Sequence, residues 1–184
     1  MKGNIVKTVE RLIAEHDIIE RGLAILANVV TRIESGKPVP EEFPAWAPQF
    51  FSQFADECHH AKEEDIFFPA LKERGIPQDG GPIGVMLHEH DVGRECVQRM
   101  REASETAELD EHKFAMAANE FIALLRNHIF KENNVLFKMA ENVLHEVDDC
   151  ELNERFTIVE QERKLVGLQE RYESEIARWE EELR

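Results

Sequence analysis

The sequence predicts an all-α protein whose helices form a bundle, and three observations support that prediction. Apolar residues recur at spacings of three and four along most of the chain, strand-like alternation is absent, and Gly and Pro cluster in a few short stretches. At 184 residues the chain is long enough for one well-buried core and short for two. We therefore expect one bundle domain over residues 1–148, followed by a charged C-terminal helix over residues 149–184.

Loop-forming residues divide the chain into five predicted helices. The Gly- and Pro-containing stretches over residues 35–40 and 75–82 predict two clear loops, and softer breaks fall near residues 104–110 and 146–149. The apolar rows between these breaks have helical spacing. The predicted helices are 4–35, 44–74, 83–104, 111–145 and 150–183.

Three prolines and the composition of the last segment refine these helices. Pro44 and Pro48 suit the start of the second helix, because the first helical turn needs no backbone donor. Pro69 falls inside that helix, which it is expected to kink or end. The segment from Glu151 onward is densely charged with thinner apolar spacing, so we expect it to pack on the outside of the bundle or to extend from it.

Charge and cysteine content exclude several classes of partner. The formal charge of −16 argues against nucleic acid and against an anionic membrane surface, since both are negatively charged. No stretch approaches the roughly 20 apolar residues of a membrane span, and the N-terminus turns charged before a signal peptide could form. Cys58, Cys96 and Cys150 include no Cys-x-x-Cys pair, as is typical of reduced thiols. We expect a cytoplasmic protein.

A pattern of histidines and carboxylates occurs twice in the chain. Glu15-His16-Asp17 is followed by His59-x-x-Lys62-Glu63, and Glu89-His90-Asp91 is followed by His128-x-x-Lys131-Glu132. Neutral imidazole and carboxylate are the ligands that borderline and hard divalent metals take. Four such elements on four predicted helices indicate a two-metal site inside the bundle.

Helical spacing decides which of two neighbouring histidines faces inward. His59 and Glu63 lie four residues apart in a row that includes Ala55 and Phe67, so both are expected to face the core. His60 shares a row with charged residues and is expected at the surface or rim, as are His88, His112 and His145. The two repeat lysines, Lys62 and Lys131, are expected to be solvated or to screen the carboxylates.

The inward rows also contain the other repeated residues. A single inward histidine is more often a hydrogen-bonded core residue than a ligand, and an isolated His-x-x-x-Glu carries little information. Six buried imidazoles and carboxylates that converge without a metal would each cost several kcal/mol. The predicted metal ligands are His16, His59, Glu63, His90, His128 and Glu132.

These elements resemble the hemerythrin family, in its bacterial branch with the pattern H…HxxxE…H…HxxxE. The resemblance covers about residues 5–145 and is strongest in CHHAKEEDIFFPAL and LRNHIFKENNVLFKMA. It implies an antiparallel up-down four-helix bundle that holds two non-haem iron ions, joined by an oxo or hydroxo bridge, with the four histidines as terminal ligands and the two glutamates bridging. The ferritin-like pattern of repeated Glu-x-x-His is matched only by Glu57 and His60, so that fold is rejected.

The chain departs from the oxygen-carrying hemerythrins at two positions. Arg94 stands where they have a second histidine four residues after the helix 3 ligand, and His128-x-x-x-Glu132 stands where they have His-x-x-x-x-Asp. Four imidazoles then serve two irons, which leaves one open position on each. Glu20, one turn after His16, is a candidate seventh ligand.

The predicted function is binding of, or reaction with, a small oxygen or nitrogen species such as O₂, H₂O₂ or NO, including catalase-like breakdown of peroxide. The alternative is a non-enzymatic oxygen, NO or iron sensor, carrier or store, whose charged C-terminal helix offers a surface to a protein partner. Repair of iron–sulfur clusters is a third option, which we expect to be disfavoured because such relatives carry an extra Cys-bearing N-terminal module. The identity of the small molecule and the oligomeric state stay open.

Overall fold

A computed structural model describes residues 7–105 and 108–184 of the protein, and six helices make up most of them. The start of the first predicted helix and part of the predicted break at 104–110 lie outside the described residues. None of the six helices has the length and apolarity that crossing a membrane requires. The helices are α1, Lys7–Glu34; α2, built from Phe43–Phe50, Phe51–His60, Glu63–Phe67 and Phe68–Glu73; α3, Pro82–Ser104; α4, built from Glu111–Lys131, Glu132–Leu136 and Phe137–Val143; α5, Glu146–Glu162; and α6, Leu168–Glu182.

The first four helices form the predicted bundle. α1 and α3 both pack along α4, and α2 packs on α3. Their apolar side chains make two separate hydrophobic clusters. In α1, Leu23 belongs to one cluster and Leu12 to the other, with buried His16 between them. In α2, α3 and α4 as well, buried polar residues lie between a part of the helix that belongs to one cluster and a part that belongs to the other. A polar layer therefore crosses the bundle between two apolar layers.

Parts of α2 and α4 are π-helical, with backbone hydrogen bonds that span five residues instead of four. These segments are Phe51–His60 and Glu63–Phe67 in α2 and Glu132–Leu136 in α4. The last two begin at the repeated glutamates, so the sequence repeat is also a repeat of backbone geometry. Pro69 lies in the first turn of the α-helical segment Phe68–Glu73 that follows, where the missing N–H costs little. The helix continues to Glu73, and the expected end at the proline is not observed.

The C-terminal segment forms two helices, so the prediction of a single helix is wrong. The chain turns between α5 and α6 at Lys164 and Gly167, whose φ angles of 59° and 81° lie in the left-handed region. Both helices lie along the bundle, with Phe156, Tyr172 and Trp179 buried. A few large aromatic side chains, far apart in the sequence, hold these helices on the bundle. Charged residues surround them, so the sequence shows no continuous apolar row there.

Asp149, at the start of this segment, caps the first helix. Its carboxylate accepts hydrogen bonds from the backbone N–H groups of Lys7 and Thr8, at 3.0 and 2.8 Å, and from the Thr8 hydroxyl. We expect Asp149→Ala to cost about 0.5–2 kcal/mol, as loss of a helix cap does. Exposed Glu151→Ala should change stability by less than about 0.5 kcal/mol. Urea unfolding of both variants tests this, and equal effects would contradict the capping role.

Candidate metal centre

The structure brings together all six residues that the sequence singled out. Each glutamate lies between two histidines from different helices. The Glu132 carboxylate is 3.2 Å from the Nε2 atoms of both His16 and His128. The Glu63 carboxylate is 3.6 Å from Nε2 of His59 and 3.5 Å from Nε2 of His90. The polar layer therefore contains one of these residues from α1, one from α3, two from α2 and two from α4.

These six side chains are inaccessible and poorly satisfied by the protein itself. Each is at most 1% exposed. The Nε2 atoms of His16 and His59 and all four carboxylate oxygens of Glu63 and Glu132 make no hydrogen bond to any described residue. An unpartnered buried polar group costs about 1–3 kcal/mol by mutational measures. A cation accepts electron pairs from all of these atoms at once, so the donor set fits a metal.

The donor atoms fall into two overlapping groups. Within each group the donor atoms lie within 4.8 Å of one another, and Glu63 belongs to both. The two groups share the polar layer, as expected of two neighbouring metal positions with a common carboxylate. The first group is His16, His59, Glu63 and Glu132, and the second is His60, Glu63, His90 and His128.

The four predicted histidines are held by hydrogen bonds from their outer ring nitrogens. The Nδ1 atoms of His59, His90 and His128 lie 2.8, 2.7 and 3.1 Å from carboxylates, and that of His16 lies 2.9 Å from an amide oxygen. An ionised carboxylate only accepts, so Nδ1 carries a proton, and in the neutral ring Nε2 keeps its lone pair toward the interior. This arrangement fixes the ring and raises its basicity as a ligand. The outer partners are, in the same order, Glu15, Glu64, Glu89 and Asn133.

Sequence reasoning missed these outer partners, although the repeat contains them. Glu15 and Glu89 each precede a predicted ligand and serve the histidine of the next helix. Glu64 and Asn133 each follow a predicted bridging glutamate and serve a histidine of the other half. Their matched positions in the two repeats were the available signal.

Lys62 is buried, so of the two roles expected for it, solvation or screening of the carboxylates, the structure shows the second. Its ammonium group bonds the carboxylate of Glu15 and lies 2.9 Å from Glu160 of α5, and its side chain is 0% exposed. It thereby neutralises the carboxylate that orients His59. Lys131 bonds Glu89 in the same way but is 37% exposed and therefore remains partly solvated.

The predicted position of His60 at the surface or rim is wrong. Its ring is 5% exposed and stacks on that of His90, with centroids 3.8 Å apart. The segment Phe51–His60 is π-helical, and its wider turn reduces the angle between successive residues. Both His59 and His60 therefore face the interior. The three remaining histidines are exposed as predicted: His88, His112 and His145.

The two central carboxylates differ in acidity in the metal-free protein. Burial and the charge of Glu132 raise the pKa of Glu63 well above its usual value. Burial acts in the same direction on Glu132, but the charge of His128 and the close contacts with His128 and His16, both at 3.2 Å, lower its pKa well below the usual value. Burial alone would lower the pKa of His128, yet Glu132 and Glu89 raise it to about 9. Without a metal, the site therefore retains protons.

Two other residues considered from the sequence lie away from the donor atoms. Glu20 has a side chain 41% exposed and sits 3.7 Å from Arg126, so it joins neither donor group. Arg94 points to the outer carboxylates, with guanidinium nitrogens 2.7 Å from Asp56 and 2.6 Å from Glu64. It therefore supports the site from outside.

Comparison with known proteins agrees with this geometry. The sequence model of the hemerythrin HHE cation-binding domain matches residues 7–140. The chain is also similar to the iron-sulfur cluster repair protein YtfE from Escherichia coli O139:H28, Salmonella paratyphi B and Shigella boydii serotype 18. Each is 34% identical over 125 residues, which cover 64% of this chain and 56% of the relative, so the match spans little more than half of those proteins. No solved structure gives a significant match. The chain is a metal-binding helical protein that belongs to the hemerythrin HHE family.

Proposed function

We propose that the chain holds two iron ions bridged by carboxylates and that this centre binds or reacts with a small oxygen or nitrogen species. The supporting observation is the set of buried Nε2 and carboxylate atoms that lack hydrogen bonds in the polar layer. The proposed ligands are the six predicted residues, with Glu63 and Glu132 shared between the two positions. When bound, an iron pair supplies redox chemistry toward O₂, H₂O₂ or NO.

The protein's own contribution is to orient the donors and to exclude water. The outer carboxylates fix the imidazole rings, and the Lys62 and Lys131 ammonium groups fix two of those carboxylates. Aromatic rings close the polar layer on one side, with Phe137 stacked on His16 at 5.5 Å and Phe68 on His90 at 5.9 Å. Such surroundings favour small, weakly polar molecules over bulky or charged ones.

Metal analysis tests the proposed centre directly. Protein purified from iron-replete cells should hold about two irons per chain and show the near-ultraviolet absorption of an oxo-bridged ferric pair. The protein with His16→Ala and His128→Ala together should lose most of that iron, while His112→Ala, at an exposed position, should keep it. Zinc alone, or one metal in a saturated wild-type preparation, would contradict the assignment.

The choice among small molecules requires a separate measurement. Chemically reduced protein should change its absorption on addition of NO or O₂, and oxidised protein should decompose H₂O₂ faster than the same amount of free iron. A response to NO alone would favour a sensor, and reversible O₂ binding would favour a carrier. Peroxide turnover would favour the catalase-like activity.

A second candidate function is repair of iron–sulfur clusters, which the printed name of the YtfE relatives favours. For this chain it requires that iron leave the site for a recipient protein. A dehydratase with an oxidatively damaged [4Fe–4S] cluster should then regain activity with the iron-loaded chain but not with the metal-free chain. Equal recovery with free ferrous iron would reject a specific role in repair. A cytoplasmic location suits both functions and is part of the proposal, supported by the three free cysteines.

A further inference from the structure

His60 has the features of the proposed ligands, although it lies outside the repeated pattern. Its side chain is 5% exposed, and its Nε2 atom makes no hydrogen bond to any described residue. The ring lies 3.8 Å from that of His90 and 5.8 Å from that of His128, measured between centroids. Its donor atom falls in the second group, within 4.8 Å of those of Glu63, His90 and His128.

The outer nitrogen of His60 also faces a carboxylate, at a longer distance than the outer partners of the other four. Its Nδ1 atom lies 3.4 Å from the carboxylate of Asp56. Arg94 fixes that carboxylate, donating from Nε at 2.9 Å, and also bonds Glu64, the outer partner of His90. One guanidinium group thus holds the partners of two stacked imidazoles. If the His60 ring only packed against His90, its Nδ1 atom would not need a fixed partner and its Nε2 atom would not need to stay free of hydrogen bonds.

We propose that His60 is a fifth imidazole ligand, at the metal position served by His90 and His128. This inference rests on the proposed metal centre. The residue aligned with His60 in the second repeat is Ile129, which is buried and cannot coordinate. The two positions are therefore unequal: three imidazoles serve one, and His16 and His59 serve the other. An added small molecule should bind mainly at the position with two imidazoles.

A cavity of about 320 Å³ reaches His60 from outside the bundle. Its walls include apolar Phe51 and Phe121 and the charged groups of Asp56 and Arg94. Shortening the His60 side chain would extend this cavity toward the proposed metal position. A free imidazole molecule is small enough to enter it and replace the missing side chain.

The test compares the full chain carrying His60→Phe or His60→Ala with the wild type and with His88→Ala, an exposed histidine on α3. Phenylalanine keeps an aromatic ring against His90 but has no nitrogen. Measurements are iron per chain after dialysis against a chelator, and the number of nitrogen ligands from X-ray absorption at the iron edge. We expect both His60 variants to lose a nitrogen ligand and to bind one of the two irons at least about tenfold more weakly, as disturbed metal sites do. His88→Ala should match the wild type.

Two further readouts separate coordination from folding. Metal-free His60→Phe should melt no lower than the metal-free wild type, because it removes an unpartnered buried nitrogen. Millimolar imidazole should restore iron binding and the nitrogen count in His60→Ala but not in His60→Phe. If the wild type holds two irons and His60→Phe retains its affinity and nitrogen count, the His60 assignment is overturned while the metal centre stands. A wild type without iron overturns both.

Discussion

Lys62→Met should cost about 3–5 kcal/mol of unfolding free energy, because removing one member of a buried ion pair leaves the other uncompensated. Burial already raises the pKa of Glu15 despite the charge of Lys62. Without that charge the carboxylate loses the cation bonded to it and takes up a proton or rotates away. The His59 ring then loses its fixed partner, so metal affinity should also fall by about 10–100-fold.

Lys131→Met is the matched control for this prediction. Lys131 has the same place in the second repeat and the same kind of partner, but 37% of its side chain is exposed. Its loss should cost no more than about 1 kcal/mol, the usual size of an exposed ion pair. Denaturant unfolding of both variants, with and without iron, gives the comparison. Equal costs would show that the burial of Lys62 does not set its contribution.

Glu63→Met should stabilise the protein when no metal is bound and weaken its binding of iron. Both oxygens of Glu63 are buried without hydrogen bonds, and burial with the nearby Glu132 charge disfavours its ionised form. A methionine of similar volume removes that penalty, so the metal-free protein should gain about 1–3 kcal/mol. The same change removes a shared donor, so iron affinity should fall by more than the roughly 100-fold that loss of an outer partner costs.

Thermal unfolding in chelator measures the stability of the metal-free protein, and thermal unfolding in excess ferrous iron measures the stabilisation by the metal. Wild type should be stabilised by iron and Glu63→Met should not, so the order of their melting temperatures should reverse between the two conditions. Glu57→Met, at an exposed position one turn before His60 on the same helix, is the control and should follow the wild type. A variant less stable than wild type in chelator would mean that Glu63 supports the fold without a metal.

The fold class and the six converging residues could be predicted because periodicity and the repeat agreed. The spacing of His59 and Glu63 in an apolar row located one side of the site, and the parallel spacing of His128 and Glu132 located the other. The antiparallel pairing of the four helices was implied by the resemblance to the hemerythrin family, and the short loops and apolar faces agree with it. These features depend on local spacing, which the sequence contains.

The two features that the sequence did not predict have different physical causes. The prediction for His60 assumes the angle between successive residues of an α-helix. The π-helical turns have a smaller angle and rotate His60 into the interior. No local sequence signal distinguishes these turns. For Lys62, the sequence predicts either solvation or screening of the carboxylates; it screens Glu15 while fully buried, which is rare for lysine. Its burial depends on Glu160, nearly a hundred residues away, and on a tail whose docking was underestimated. The first feature concerns local backbone geometry, and the second concerns a contact between distant segments.

The repeated network has a consequence for how the two halves of the bundle relate. In each half, the glutamate of one helix fixes the histidine of the next, so a helical hairpin supplies two imidazoles and one carboxylate, with one of the imidazoles oriented by the hairpin itself. The links from His16 to Asn133 and from His90 to Glu64 join one hairpin to the other. A chain of half this length, paired with its own copy about a twofold axis, would therefore complete both positions by symmetry. In the single chain the two halves need not be identical, and they differ at His60 and Ile129.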